Sequence, residues 1–154
     1  MVPPSANMLK PVGDGRGSGL YRSTVDALLA QVLVSLDRLD EAETFSRLAE
    51  DLADADDVDS QVFWRTARAR VYARTDRFGD AETLAREAVE MARGTVNISL
   101  LAGALADLAE VLTAVGREKD AEPHLREALQ LYERKEDATS TLRVRRLLGE
   151  LAPV

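Results

Sequence analysis

The chain has 154 residues, 45% of them apolar, with 27 acidic against 20 basic side chains and a net charge of −7. That length supports one domain with a real core and falls short of two typical ones. The acid excess argues against a nucleic-acid or anionic-membrane binder, since both reward clustered positive charge. With no cysteine and a single histidine, the sequence offers no disulfide, thiolate metal site, cysteine nucleophile or multi-histidine cluster, and no cofactor site is expected. No run approaches the ~20 unbroken apolar residues of a membrane span. The start, MVPPSANMLKPVGDGRGSG, lacks the apolar run of a secretory signal, so the chain reads as soluble and cytoplasmic. Among the basic residues only Lys10, Lys119 and Lys135 are lysines, and with so much Ala and Asp this composition points to a GC-rich bacterial genome.

Residues 1–20 carry Pro3, Pro4, Pro11, Gly13, Gly15, Gly17 and Gly19 with little apolar content, and are expected to form a disordered leader. These glycines do not make a phosphate loop: no Lys follows them, Ser18 stands where a dinucleotide-binding pattern needs its third glycine, and no strand precedes them. From Leu20 onward, apolar spacing of three and four predicts helices near 24–37, 41–53, 62–76, 80–93, 98–115 and 120–134. Ser23-Thr-Val-Asp26 and Asp40-Glu-Ala-Glu43 read as capping boxes at the first two helix starts. The acidic run from Glu50 to Asp59 fails as a calcium loop, because counting from Asp54 puts Asp59 at the sixth position and Arg65 at the twelfth. It is expected to complement the helix N-terminus before Gln61.

Gly94 is expected to end one helix and Asn97 to cap the next, and Gly116 fits a short turn. Asn97 also opens an Asn-Ile-Ser sequon, which a cytoplasmic chain would not use. Pro123 falls in the first turn of its helix, where the missing amide hydrogen has no partner to lose. His124 has no aligned nucleophile, and the carboxylates fall on outward faces where no apolar pocket would raise a pKa, so catalysis is not expected. Finally, Val144, Leu147, Leu148 and Leu151 share one face of a helix over about 139–151, with Arg143, Arg145 and Glu150 opposite. This helix is expected to cover the end of the array.

The informative feature is an internal repeat. Arg38, Glu41, Ala42, Glu43, Arg47 and Ala49 recur as Arg77, Asp80, Ala81, Glu82, Arg86 and Ala88, 39 residues later. They recur again, 40 residues on, as Arg117, Asp120, Ala121, Glu122, Arg126 and Ala128. The same register aligns Ala30 with Ala69 and Ala109, and Val32 with Val71 and Val111. The aligned alanines lie two turns apart and keep one face of the second helix thin enough for close approach to the first. Glu43–Arg47, Glu82–Arg86 and Glu122–Arg126 are acid-before-base pairs at i,i+4, each contributing roughly 0.2–0.5 kcal/mol. First-helix apolar stripes are expected at Val25, Leu29, Val32, Leu36 and Leu39; at Trp64, Ala67, Val71, Thr75 and Phe78; and at Leu105, Leu108, Val111, Leu112 and Val115.

The pattern R-x-x-[DE]-A-E-x-x-x-R-x-A, with a small residue upstream in each unit, resembles the tetratricopeptide repeat over about 22–135. The period exceeds the family's usual 34. Asp37 and Asp76 replace the glycine that survives as Gly116, the aromatic two residues on is kept only as Phe78, and the proline that usually closes a unit is absent. The resemblance implies an all-α, right-handed α-solenoid of three helix hairpins (units about 22–59, 60–97 and 98–135 within a domain of 21–152) plus a C-terminal capping helix. The tail is similar to C-terminal arrays of bacterial signalling ATPases and cyclase-linked regulators, which implies a regulatory context. The motifs of those activities are absent.

The resemblance further implies a concave groove lined by the first helices and receiving a peptide or partner helix. By register, Gln31, Val34 and Ser35 from unit one would line it, with Phe63, Thr66, Arg70 and Arg74 from unit two and Asp107 and Glu110 from unit three. Arg70 and Arg74, one turn apart, would hold a carboxylate by forked hydrogen bonds, and Asp107 with Glu110 would take a basic residue. The competing reading pairs these arginines with Glu110 and nearby acids. Phe63 is assigned to the groove and Trp64 to the core, because adjacent helical residues point about 100° apart. The expected role is a non-catalytic protein-binding scaffold within a signalling or transcriptional regulator. The alternative is self-association through terminal faces or the groove.

Overall fold

The computed structural model describes residues 17–151, with side chains from 21 to 149. Among these residues there are seven helices and no strand: α1 (Gly17–Ser35), α2 (Leu39–Leu52), α3 (Val58–Arg74), α4 (Phe78–Arg93), α5 (Ile98–Ala114), α6 (Glu118–Arg134) and α7 (Ala138–Leu151). Most of the expected leader lies outside the described residues, but its last part does not. Residues 17–20 already belong to α1.

The repeat sets the architecture. α1 packs on α2, α3 on α4 and α5 on α6 as hairpins; α1, α3 and α5 lie side by side, while α2 touches α3, α4 touches α5 and α6 touches α7. This is the helical solenoid that the repeat pattern implies. The aligned alanines make the close approach possible: Ala42, Ala81, Ala121, Ala49, Ala88 and Ala128 are all fully buried.

Each hairpin turns through a residue in the left-handed region, with φ of 59° at Asp37, 61° at Asp76 and 80° at Gly116. The next amide reaches back over the turn: Arg38 N–H donates to the Leu33 carbonyl (2.9 Å), Arg77 to Tyr72 (2.9 Å) and Arg117 to Leu112 (2.8 Å). This closure satisfies carbonyls that the helix end leaves without partners. Glu136, φ 57°, repeats the motif after α6, with Asp137 N–H on the Tyr132 carbonyl (3.1 Å).

Helix starts follow two rules. The first helices of units two and three and the terminal α7 begin at an Asx residue: Asp57 accepts from Ser60 N–H (3.3 Å), Asn97 from Leu100 N–H (3.1 Å) and Asp137 from Ser140 N–H (3.0 Å). The second helices begin after Arg38, Arg77 and Arg117, which give no side-chain cap. Instead each pairs with the acid three residues on, as in Arg77–Asp80 (2.9 Å) and Arg117–Asp120 (2.8 Å). Both expected capping boxes therefore fall elsewhere. Asp40 lies inside α2, and Ser23 lies in mid-α1. The Ser23 hydroxyl instead donates to Asp57 (3.2 Å) and meets Ser60 (3.1 Å), tying α1 to the start of α3.

The core runs through both faces of α3 and α5, where Val62, Val71, Leu105, Leu108, Val111 and Leu112 are buried against Leu125 and Val144. Trp64 is buried as expected, with the guanidinium groups of Arg65 and Arg68 at 4.3 and 4.5 Å from its ring. The expected stripe on α1 is a correction. Val25, Leu29, Val32 and Leu36 are exposed, and Ala27, Ala30, Leu33 and Val34 fill the core instead. The reason lies in the repeat itself. Val32 aligns with Val71 and Val111, which are buried inside the stack, whereas no unit precedes unit one among the described residues. Thr75 and Phe78, at the end of the second expected stripe, are likewise exposed.

Candidate functional site

One register position on three successive first helices holds Gln31, Arg70 and Glu110. Helical stacking brings the three side chains into one row. Arg70 Nη1 donates to Gln31 Oε1 (2.9 Å), and its Nε donates to Glu110 Oε2 (2.9 Å). Its Nη2 reaches the Ser35 hydroxyl (3.3 Å), and Asp107 lies 3.9 Å from Nε. Arg143, on α7, closes the row with a bond to Asp107 (3.1 Å) and another to Glu110. Gln31 Nε2 donates to the Phe63 carbonyl (3.1 Å) and to the Thr66 hydroxyl. Two arginines thus face two carboxylates in a row that crosses α1, α3, α5 and α7.

The row is largely enclosed, with Arg70 and Asp107 among the buried residues. Burial alone would raise the Glu110 carboxyl, but Arg70 and Arg143 outweigh it and hold the group below the ordinary glutamate value of 4.5. Burial of Arg143 works against its charge, yet Asp107 and then Glu110 raise its pKa above the ordinary value. Beside the row, burial pushes the Tyr132 phenol up to about 12, and its hydroxyl stands against the Cα side of Gly103, where a Cβ would meet it at 3.4 Å.

The residues expected to line a groove divide into four groups. Gln31, Ser35, Arg70, Asp107 and Glu110 come together, but as mutually paired groups, so the arginine with its acids satisfies itself. Val34 and Thr66 are a correction: both are buried, and neither offers side-chain surface to a partner. Phe63 is only half-buried and packs against core residues, including the cluster of Ala27, Ala49 and Trp64 between units one and two. Arg74 stays partly in solvent with 38% of its side chain exposed; Nη1 is held by the Val34 carbonyl (2.7 Å) and Asp37 (3.3 Å).

Arg143 was not among the expected site residues, because its place on the polar face of a capping helix reads as solvated surface. A register comparison carries the missing signal. Arg143 stands 40 residues after Gly103, so the repeat register runs on into α7 and brings its guanidinium to Asp107 and Glu110 of α5.

Two clefts open onto the paired row. One, of about 340 Å³, is lined by Arg74, Glu110, Thr113, Ala114, Leu125 and Leu147 among others. The second, of about 360 Å³, lies between Gln31, Val32, Ser35 and Leu36 of α1 and Arg70, Asp107 and Arg143 opposite. Each combines an apolar wall with charged groups, a mixture suited to a polypeptide segment. Among the described residues, no group of three or more His, Asp or Glu side chains is placed to hold a metal ion, and no helix is long and apolar enough to cross a membrane.

Comparison with known proteins agrees with this architecture. Residues 65–98 and 101–136 match the family model described as a tetratricopeptide repeat. The fold is similar to the crystal structure of a TPR-like protein from Chlorobium tepidum TLS, at a TM-score of 0.65 and 16% sequence identity, over 87% of this chain and 96% of that one. No curated protein matches the sequence. Repeats of this kind stack into extended surfaces that generally mediate protein–protein interaction.

Proposed function

We propose that this chain, a tetratricopeptide-repeat protein, is a non-catalytic scaffold that binds a protein segment along the face formed by α1, α3, α5 and α7. The observation that supports this reading is the pair of clefts that open onto the Gln31–Arg70–Glu110–Arg143 row. The row holds four helices in register and gives the clefts a fixed floor. The partner contacts then come from groups outside that pairing: Arg74, Thr113, Ala114 and Leu147 in the first cleft and Ser35 with its apolar neighbours in the second.

A segment with an apolar side chain beside a carboxylate fits the first cleft, with the apolar group against Ala114 and Leu147 and the carboxylate at Arg74. The composition and the tail's similarity to regulator arrays favour a cytoplasmic setting within a signalling or transcriptional regulator. Arg70 and Glu110 act as framework in this reading, so reversing Arg70 would test folding instead of binding.

The discriminating experiment compares capture of binding proteins by the unaltered chain and by Ala114→Arg and Arg74→Glu variants. Loss of the same captured protein from both variants, with unchanged melting temperature, is the expected result. Full retention by both would show that the partner binds elsewhere.

A further inference from the structure

We propose that a second copy of this chain docks on the outward face of α1, the two α1 helices running antiparallel across a two-fold axis. Of the ten large apolar side chains exposed among the described residues, five lie on this one helix (Tyr21, Val25, Leu28, Leu29 and Val32), and a sixth, Leu36, directly follows it with its N–H still bonded to the Val32 carbonyl (3.0 Å). At 100° per residue they fall within a single arc about 100° wide, and from first to last they extend roughly 22 Å along the axis. The other four (Leu52, Phe78, Val96 and Leu142) lie apart on four different segments.

Three observations say what covers this face. First, it continues an interface already present twice in the molecule. The positions aligned with Val25 and Val32 are Trp64 and Val71 in unit two and Ala104 and Val111 in unit three; all four are buried, Trp64 against Ala27 and Ala49 of unit one. The face has the chemistry of a packed surface, and no unit covers it among the described residues.

Second, the spacing is palindromic. Steps of four, three, one, three and four residues separate the six side chains, so a half-turn about the midpoint between Leu28 and Leu29 exchanges Tyr21 with Leu36, Val25 with Val32 and Leu28 with Leu29. A two-fold interface requires such self-complementarity, in which residue i meets j and j meets i. A partner of unrelated sequence does not.

Third, the opposite end of the array does not fit. The exposed side of α7 carries Arg145 and Arg146 around a lone Leu142, with Glu133 bonded to Arg145 at 2.8 Å. Head-to-tail stacking would bury those charges against the α1 stripe, whereas pairing α1 with α1 buries apolar surface on both sides.

The test uses the full chain. Sedimentation equilibrium from low to high micromolar concentration should show a reversible monomer–dimer equilibrium, and Leu29→Glu with Val32→Glu should abolish the dimer while leaving helical circular dichroism unchanged. Because the chain has no cysteine, cross-linking gives an independent readout that needs no disruptive charge. Val25→Cys and Val32→Cys copies mixed under mild oxidation should form a covalent dimer, and neither variant should do so alone. A chain that remains monomeric throughout, a dimer that survives the double glutamate variant, or cross-linking of Val25→Cys with itself would each overturn the proposal. The first outcome assigns the face to another occupant, the second moves the dimer contact elsewhere, and the third makes the helices parallel. Val32 and Leu36 also edge the second cleft, but the first cleft contains no α1 residue, so its Arg74 and Ala114 variants keep the failure of the two proposals distinguishable.

Discussion

Asp76 and Gly116 do the same job with different costs. Both occupy the left-handed turn position between the two helices of a unit. A side chain there crowds the following carbonyl, which glycine avoids. Asp76→Gly should therefore stabilise the fold by up to about 1 kcal/mol, and Gly116→Ala should destabilise it by about the same amount. Thermal melts of the two variants check the pair of opposite signs. Asp37 is a poorer choice, since its carboxylate also holds Arg74. The repeat alignment made these turns legible, because Gly116 shows what its two aspartate counterparts must do. It did not reveal the capping role of Asp57 and Asp137, which share with Asn97 a 40-residue spacing that falls outside the Arg-to-Ala signature.

At the scale of helices, packing and charge set different limits. Ala81 is fully buried where α4 meets α3, and Ala81→Leu should cost about 1–3 kcal/mol by overpacking. An unchanged melting curve would contradict this placement. Removing Arg70 leaves Glu110 and Asp107 to share Arg143, so Arg70→Ala should cost about 3 kcal/mol. Arg70→Met with Glu110→Leu should recover more than half of that loss, because Arg143 and Asp107 still pair.

Acid reads out the same row. The folded state holds Glu110 below its unfolded value of 4.5, so the unfolded chain binds the extra proton first. This contribution to stability is fully present above that value and is lost as pH falls through the lower folded pKa. Glu110→Gln should be less stable than the unaltered chain at neutral pH, and the gap between their melting temperatures should narrow on acidification below about 4.5.

Across the whole molecule, the sequence revealed a hairpin array with helix ends placed to within a few residues, apart from the start of α1. It did so because small residues at helix crossings and i,i+4 charge pairs are local marks: Glu43–Arg47, Glu82–Arg86 and Glu122–Arg126 all form, at 2.8, 2.8 and 2.6 Å. What stayed hidden depends on neighbours across unit boundaries. Val32 and Val71 are the same residue in the same register, yet one is exposed and the other buried. The sequence left Arg70 and Glu110 open between pairing with each other and holding a partner; stacking across the unit boundary pairs them at 2.9 Å.

Cross-boundary contacts have a kinetic corollary. The outer helices are strapped by Glu82–Arg117 (2.8 Å) and Arg93–Glu127 (2.7 Å), both of which join unit two to unit three. Within a single copy, and among the described residues, the α1–α2 hairpin abuts a unit on one side alone. Opening of the array should therefore start at that hairpin and run inward like a zipper. At concentrations low enough to keep the chain monomeric, backbone amides of α1 and α2 should take up deuterium before those of α3 and α5, with α5 amides the last to exchange.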